Sequence, residues 1–206
     1  KSVAPAGPLH GGEFKKNGAF GILFSGDYEY SGAHPTVLGS LPFIFKSLPH
    51  GQVYFACRRK TKRAIEEERR SKTEVARRGL EGRVSFLNEV PDMLRLIREM
   101  DVCVFPAASL YHKMDVPLLL LECLANGVPL VVSDLPSLKP LTEGGAAIEV
   151  VPGKPELLAH AVIRLAKEAR LRREMSERAR QLVRKEFNIQ EIAPQYEALY
   201  RQLMES

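Results

Sequence analysis

Short apolar runs recur along the chain, separated by longer segments of mixed character. Each run is rich in Val, Ile, Leu or Phe and is bounded by turn formers. This pattern predicts β-strands, and the near-continuous apolarity indicates strands that are buried on both faces. The six predicted strands are 19–24, 52–57, 83–87, 102–105, 129–132 and 146–151.

Segments of helical length lie between these strands. The predicted helices are 35–47, 61–78, 92–99 and 118–126. After Pro155 the pattern becomes wholly helical, with a last helix over 189–204. Alternation of strand and helix is typical of an α/β fold whose open parallel sheet carries helices on both faces. We therefore predict a Rossmann-like sheet with extra carboxyl-terminal helices, in which ligands bind outside the carboxyl ends of the strands.

The 206 residues divide by composition into three parts. Residues 1–18 start with a Pro/Gly-rich stretch and are predicted to be a linker or the remnant of an inter-domain segment. Residues 19–188 form the predicted Rossmann-like domain, and 189–206 form a carboxyl-terminal helix. The chain opens with Lys1, which suggests a piece of a longer polypeptide. Its longest apolar run, 116–121, is far shorter than the roughly 18 residues that a membrane-spanning helix requires.

Cysteine usage indicates the compartment. The chain has three cysteines, Cys57, Cys103 and Cys123, with no C-x-x-C pair and no neighbouring histidine cluster. An odd number in this arrangement argues against a disulfide framework and against a structural zinc site. We expect buried thiols in a reducing compartment, and hence a cytoplasmic protein.

The net charge of +5 combines regions of opposite sign. Residues 58–78 hold ten basic residues against four glutamates, and 164–186 hold nine against four, whereas the remainder is acidic. One interpretation is a pair of solvated helix faces with i,i+4 ion pairs, such as Glu68 with Lys72 and Glu174 with Arg178. Another is peripheral contact with an anionic membrane surface. Nucleic acid is the weakest candidate partner because no aromatic residues are interleaved for base stacking.

The segment 101–134 carries the most informative pattern, since a strand, a loop and a helix opening near Pro117 follow one another there. Proline suits the first turn of a helix, and the free N–H groups of Leu118, Leu119 and Leu120 would form a donor-rich end suited to a phosphate. Glu122 lies one turn further along. Since a carboxylate beside a phosphate needs its own partner, ribose hydroxyls are the obvious candidate.

The string L-L-L-L-E-C-L-A-N-G-V-P-L-V-V-S-D resembles the sugar-donor motif of retaining glycosyltransferases of family four. That family has the GT-B fold of two facing Rossmann-like domains. The resemblance runs over 21–203 and corresponds to the carboxyl-terminal, nucleotide-sugar-binding half, so the acceptor-binding half is missing. It implies that Glu122 binds the ribose and that the amides of Leu118 and Leu119 hold the diphosphate. Further implied positions are the base-flanking loop of Asn88, Glu89 and Val90, and Gly26 after the first strand.

The sequence departs from the family pattern at several charged positions. The first glutamate of the family's E-x(7)-E motif falls on Met114, so we take the adjacent Asp115 as the catalytic carboxylate for the sugar hydroxyls. The family's Arg and Lys after the first strand fall near Asp27 and Ser31, neither of which is basic. Arg58, with Arg59, at the end of the second strand is the candidate replacement, because guanidinium groups suit a diphosphate.

Two classes of function stay open for this chain. The first is the donor-binding half of an enzyme that transfers a sugar from a nucleoside-diphosphate sugar. The second is a non-catalytic nucleotide-sugar-binding or scaffold subunit, suggested by the lost Arg, Lys and Glu. A dinucleotide-dependent oxidoreductase is disfavoured, since no G-x-G-x-x-G follows a predicted strand. No D-x-D dyad follows a strand, and we expect neither a metal nor a cofactor beyond the donor substrate. His34 and His112, near strand ends, are either donor ligands or incidental.

Overall fold

The computed structural model describes residues 14–15, 18–110 and 116–204, except for the side chain of residue 191. The strands are β1 (Phe20–Phe24), β2 (Gly51–Ala56), β3 (Val84–Leu87), β4 (Val102–Phe105), β5 (Leu130–Ser133) and β6 (Ala147–Val150). The helices are α1 (Ala33–Ser47), α2 (Lys62–Arg77), α3 (Met93–Arg98), α4 (Leu118–Ala125), α5 (Lys139–Glu143), α6 (Pro155–Lys167), α7 (Ala169–Glu186) and α8 (Ile189–Met204). A 3-10 turn, Pro136–Leu138, precedes α5.

The strands form one parallel sheet in the order β3-β2-β1-β4-β5-β6. In the centre, Ile22 of β1 is in register with Val53 of β2 on one side and with Val102 of β4 on the other. Every residue of β2, β4 and β5 is buried, which confirms the prediction of strands covered on both faces for these inner strands. The edge strands β3 and β6 are partly exposed, so the prediction was wrong there. From β1 the chain adds β2 and β3 on one side of the sheet, and then adds β4, β5 and β6 on the other side. The switch point in the strand order therefore lies between β1 and β4. Folds of this kind bind ligands at the carboxyl edge of that switch point.

Helices cover both faces of the sheet. On one face α1 packs against α6, and on the other α4 packs against α3 and α7. Crossovers between parallel strands are right-handed, so reversing the direction at the switch point places the helices of the two halves on opposite faces. The predicted Rossmann-like α/β fold with additional carboxyl-terminal helices is therefore confirmed.

Helix α1 contains a proline in its interior, Pro42. Because proline lacks an N–H group, the carbonyl of Leu38 four residues earlier loses its helical donor. Arg78, directly after α2, donates from Nη1 to this carbonyl at 3.3 Å. One of the basic residues of the segment 58–78 thus serves the packing of α2 against α1.

Two features of the carboxyl-terminal half were not predicted. The short helix α5 follows a 3-10 turn over 136–143, where two prolines mask any helical pattern in the sequence. The helical region after Pro155 is also divided, since Glu168 ends α6 and begins α7 with a non-helical backbone conformation. Apolar periodicity does not show such a break, because both helices place apolar residues against the same core.

The basic segments contain many intrahelical ion pairs. On α2, Arg69 contacts Glu66 at 2.7 Å, and Glu74 is contacted by Arg77 and by Arg78. On α7, Glu174 pairs with Arg170 at 2.8 Å rather than with the predicted Arg178. The predicted pair of Glu68 with Lys72 is present at 2.5 Å, but Glu68 is only 3% exposed, so the prediction of a solvated pair was wrong there.

All three cysteines are free and buried, as predicted. Cys123 on α4 and Cys103 on β4 form a side-chain hydrogen bond, and this bond together with burial raises the pKa of the Cys123 thiol well above its usual range. Buried thiols of this kind are chemically inert. No helix within 18–110 or 116–204 combines the length and the apolarity needed to cross a bilayer.

Candidate functional site

The carboxyl edge of the switch point is bordered by the β1–α1 loop (25–32) and by the loop between β4 and α4. The candidate carboxylate Asp115, together with Met114 and His112, lies outside the described residues. The two loops are tied together where they are described, because the N–H of Ala108 donates to the carbonyl of Ser31 at 2.7 Å. This bond holds the two loops side by side, and we call the edge between them the opening.

The β1–α1 loop is ordered by the carboxylate of Asp27. Its Oδ1 atom accepts hydrogen bonds from the backbone N–H groups of Glu29, Tyr30 and Ser31 at 2.9, 2.5 and 3.1 Å. This side chain, which lies near the place where the resembled family has an arginine, is therefore used to fold the loop. The backbone of Gly26 packs tightly against the Phe24 side chain at the end of β1, since a Cβ atom at Gly26 would lie 2.8 Å from the Phe24 ring.

Helix α4 begins at the switch point without a side-chain cap. Pro117 precedes it with φ −57° and ψ 128°, and the N–H of Leu120 bonds back to the Pro117 carbonyl at 2.9 Å. The N–H groups of Leu118 and Leu119 make no hydrogen bond to a described residue. The Leu118 side chain is 61% exposed. This uncapped end has the donor geometry and the positive dipole that favour an anion.

Glu122 lies four residues after Leu118, so the two side chains share a face of α4. The residue is half-buried, and its backbone carbonyl accepts from the N–H and the Nδ2 of Asn126. Its carboxylate makes no hydrogen bond or ion pair with any residue that the structure describes. A half-buried carboxylate without such partners, next to an uncapped helix end, suits a hydroxyl-bearing ligand.

The β2–α2 turn (57–61) carries the candidate cations. Arg58 is exposed and forms no ion pair within the described part of the chain. The backbone N–H of Arg59 donates to Oδ1 of Asn88 at 2.8 Å, which fixes the turn against the end of β3. The side-chain oxygen of Asn88 is thus already used by the protein, while Val90 is half-buried against the core.

Behind this turn lies a buried carboxylate that sequence analysis missed. The carboxylate of Glu68 on α2 accepts a hydrogen bond from the hydroxyl of Tyr28 at 3.3 Å. It also forms ion pairs with Lys72 at 2.5 Å and with the Nε of Arg59 at 3.6 Å. Burial and the proximity of anionic groups raise the pKa of Tyr28 well above its usual range, so its hydroxyl remains a donor. The available signal was the spacing of Ala64, Glu68, Ser71 and Val75, which places Glu68 on the buried stripe of α2.

Two further hydrogen bonds join the β1–α1 loop to the β2–α2 turn. The hydroxyl of Thr61 donates to the carboxylate of Glu29, and its oxygen accepts from the N–H of Ala64 at 2.9 Å as the cap of α2. The hydroxyl of Ser25 donates to the carbonyl of Ala56 at 3.1 Å. The loop and the turn therefore form a single connected unit, which we call the β1–β2 clamp (25–32 and 56–61 with Glu68).

His34 is an interior residue of α1 and does not lie in the opening. Its Nε2 atom is 2.8 Å from the hydroxyl oxygen of Ser71. Since that hydroxyl donates its proton to the carbonyl of Glu67 at 2.8 Å, the imidazole must be the donor in this contact. Burial lowers the pKa of His34, which keeps the ring neutral. The structure thus favours the incidental alternative for His34.

Comparison with known proteins decides the family. The sequence profile described as Glycosyl transferases group 1 matches residues 20–168, which is most of the chain. The chain belongs to the group 1 glycosyl transferases. The matched region contains both borders of the opening, from β1 to the end of α6.

Three similar proteins show how much of a group 1 glycosyl transferase is present. The chain is 33% identical over 124 residues to N-acetyl-alpha-D-glucosaminyl L-malate synthase of Bacillus anthracis, covering 59% of this chain and 31% of that relative. It superposes on Anabaena Alr3699/HepE in complex with UDP-glucose with a TM-score of 0.76 at 16% identity, covering 89% of this chain and 49% of that one. The chain thus spans less than half of either protein.

The third similar protein is the C-terminal domain of a glycosyl transferase group 1 family protein, LpcC, from Francisella tularensis. The TM-score is 0.72 at 18% identity, with 82% of this chain and 87% of that domain covered. At such identities the superpositions show a shared fold of GT-B glycosyltransferases. The chain therefore has the architecture of one Rossmann-like unit of a group 1 glycosyl transferase.

Proposed function

We propose that the chain is the carboxyl-terminal, donor-binding domain of a retaining glycosyltransferase of family four, which transfers a hexosyl group from a nucleoside-diphosphate sugar to an acceptor. The observation that carries this proposal is the uncapped start of α4 at the switch point, with Glu122 on the same face one turn later. An anion-binding helix end beside a hydroxyl-binding carboxylate matches a ribose linked to a diphosphate.

Each candidate residue has a role in this proposal. The backbone amides of Leu118 and Leu119 bind the diphosphate, and Glu122 binds the ribose hydroxyls. Arg58 adds positive charge to the diphosphate site, and Gly26 allows close approach of the donor to the end of β1. Asn88 and Val90 flank the nucleotide base, and the carboxylate of Asp115 binds the sugar.

The chemical contribution of the domain is charge stabilisation. When the bond between the sugar and the diphosphate breaks, negative charge grows on the departing nucleoside diphosphate. Fixed N–H groups at the start of α4 and the guanidinium of Arg58 stabilise this charge without having to reorganise. The resemblance to family four supports retention of configuration at the sugar.

The size of the chain supports a missing acceptor-binding domain, because it covers 49% of HepE but 87% of an isolated C-terminal domain. Helix α8 also exposes large apolar side chains, which a second domain would cover: Ile189, Tyr196, Leu199, Tyr200 and Leu203. We infer that the isolated chain binds donor but scarcely transfers sugar, since it lacks acceptor contacts and water exclusion.

The cytoplasm is the proposed location, and three buried free thiols support a reducing compartment. Peripheral contact of α7 with an anionic membrane surface is supported by Arg173 and Arg184, which are exposed and form no ion pair within the described residues. Most other arginines of the two basic segments are engaged in ion pairs or carbonyl contacts.

Isothermal titration calorimetry of the chain with UDP-, GDP- and ADP-sugars tests the proposed function. We expect one nucleotide sugar to bind with a defined stoichiometry. Absence of binding to all of them at millimolar concentration would contradict the donor-site assignment. The non-catalytic alternative, motivated by Asp27 in place of a basic residue, predicts binding without turnover when the acceptor-binding domain is supplied in the longer parent protein.

A further inference from the structure

The cationic side chains at the carboxyl edge are distributed unevenly around the switch point. The β1–α1 loop carries two acids, Asp27 and Glu29, and no Lys or Arg. The adjacent β2–α2 turn carries Arg58, Arg59 and Lys60 in succession. Among the described residues, the cations nearest in the sheet to an anion bound beside β1 are therefore those of the β2–α2 turn.

The cation after β5 is already engaged. Lys139 contacts the carboxylates of Asp134 and Glu149 at 2.7 and 2.9 Å, and these two contacts raise its pKa. Two full negative charges neutralise one ammonium group, so this side of the switch point has no net positive charge to offer. Next to β1, the β2–α2 turn is left as the cationic part of the edge within the described residues.

Arg59 is the arginine of this turn that the protein holds in place. Its backbone N–H is bound by Asn88, and its Nε lies 3.6 Å from Oε2 of Glu68. The hydroxyl of Tyr28, from the β1–α1 loop, reaches the same Oε2 atom at 3.3 Å. The guanidinium therefore lies against the β1–α1 loop, although the residue itself comes from β2.

The outer side of the Arg59 guanidinium is open. The side chain is 39% exposed, and its two terminal nitrogens make no hydrogen bond to a described residue. A guanidinium whose Nε side faces a carboxylate at ion-pair distance keeps its terminal N–H groups available for an anion. Binding then loses less side-chain entropy than binding by Arg58, which has no described partner to order it.

We propose that Arg59 binds the anionic part of the donor and that the buried Glu68 is its positioning residue. The inference rests on the proposed function, because it assumes a diphosphate at the switch point. In this proposal Arg59 supplies the positive charge that the acidic β1–α1 loop does not supply, and Glu68 orients it. Glu68 contacts Arg59 and not the ligand.

The sign of one mutational effect tests this assignment. If Glu68 were only a negative charge near an anion site, Glu68→Gln would strengthen binding by removing like-charge repulsion. A positioning role predicts weaker binding, about threefold to tenfold, because Arg59 loses its ionic anchor. Calorimetric titration of the chain with UDP measures the difference, and we expect Arg59→Met to weaken binding by about tenfold or more.

A double-mutant cycle separates positioning from general destabilisation. In the Arg59→Met background, Glu68→Gln is expected to leave the Kd for UDP unchanged, because Glu68 acts through Arg59. Arg69→Ala, an exposed α2 arginine paired with Glu66, is the matched control and is expected to bind UDP like the parent chain. If Glu68→Gln fails to fold, Arg59→Met alone decides, since Arg59 is partly exposed and its loss leaves the core intact.

The outcomes distinguish this inference from the function on which it rests. Tighter or unchanged UDP binding by Glu68→Gln, or unchanged binding by Arg59→Met, would overturn the Arg59 assignment while leaving the donor site in place. If the parent chain binds neither UDP nor any nucleotide sugar, the proposed function and this inference both fall.

Discussion

The two borders of the switch point differ in how far the protein satisfies their own polar groups. In the β1–β2 clamp the carboxylates of Asp27, Glu29 and Glu68 all have partners within the chain. At the start of α4, the amides of Leu118 and Leu119 and the carboxylate of Glu122 have none among the described residues. The first border is largely satisfied by hydrogen bonds within the chain, whereas the second offers donors and an acceptor to a ligand.

This difference indicates a division of labour. A satisfied hydrogen-bond network resists motion, so the clamp provides a rigid wall against which a ligand is placed. Groups without partners in the protein break no internal hydrogen bond when they bind a ligand, so the start of α4 provides the recognition. Substitutions at α4 should therefore change binding and leave stability nearly intact. Substitutions in the clamp should do the reverse, except at Arg58, Arg59 and Glu68.

The largest effect is expected at Glu122. Glu122→Ala should weaken binding of the nucleotide sugar by about 100-fold or more, roughly 3 kcal/mol, because it removes two charge-assisted hydrogen bonds to the ribose. Calorimetric titration measures this loss. Glu156→Ala, which removes an exposed acid on α6, is the control with expected parental affinity. Equal affinities for the two variants would remove Glu122 from the site.

A tenfold effect is expected at the basic turn. Arg58→Ala should weaken donor binding about tenfold with little change in stability, since its side chain is exposed and without a described partner. The control is Arg77→Ala, another exposed arginine, which pairs with Glu74 at the far end of α2. Fluorescence-detected urea unfolding verifies that both variants fold. If Arg58→Ala binds the donor as tightly as the parent chain, the positive charge at the diphosphate comes from Arg59 or Lys60 and not from Arg58.

A stability effect without a comparable binding effect is expected at Thr61. Thr61→Ala removes both the cap of α2 and the bond to Glu29, and should lower the free energy of unfolding by about 1–2 kcal/mol. Thr61→Ser keeps the hydroxyl and should recover most of the loss. Urea unfolding measures both variants, and equal stability of Thr61→Ala and the parent chain would contradict a clamp held by this residue.

A smaller effect of pH is expected at His34. Burial lowers its pKa in the folded state, so the unfolded chain binds the proton more readily. The contribution of neutral His34 to the free energy of unfolding is complete above its pKa of about 6.5 in the unfolded chain. It is lost as the pH falls through the lower pKa of the folded state. Between pH 7.5 and 5.5 the parent chain should lose more unfolding free energy than His34→Gln. Parallel pH profiles would contradict this.

The fold follows from the sequence because its causes are local or periodic. Strands buried on both faces require continuous apolar runs, such as 102–105, and the alternation with helices leaves few arrangements other than a parallel sheet. The cap of α2 at Thr61 was also readable, since a hydroxyl residue precedes the first helical turn. These features depend on residues close together in the chain.

The details of the site depend on contacts between distant residues. Glu68 stands among partly exposed glutamates and exposed arginines, and only its position on the stripe with Ala64 and Val75 distinguishes it. The bond from Arg59 to Asn88 joins residues 29 positions apart, and that from Arg78 to Leu38 joins residues 40 positions apart. No local pattern reports such pairs, which is why the β1–β2 clamp was not predicted.

The most direct test of the central claim follows the backbone amides at the start of α4 by two-dimensional ¹H–¹⁵N NMR during titration with UDP and, separately, with uridine. We predict that the amide signals of Leu118 and Leu119 shift with UDP as the site saturates and do not shift with uridine, which lacks the diphosphate. Saturable UDP binding that leaves both amide signals in place would contradict a diphosphate site at this helix end.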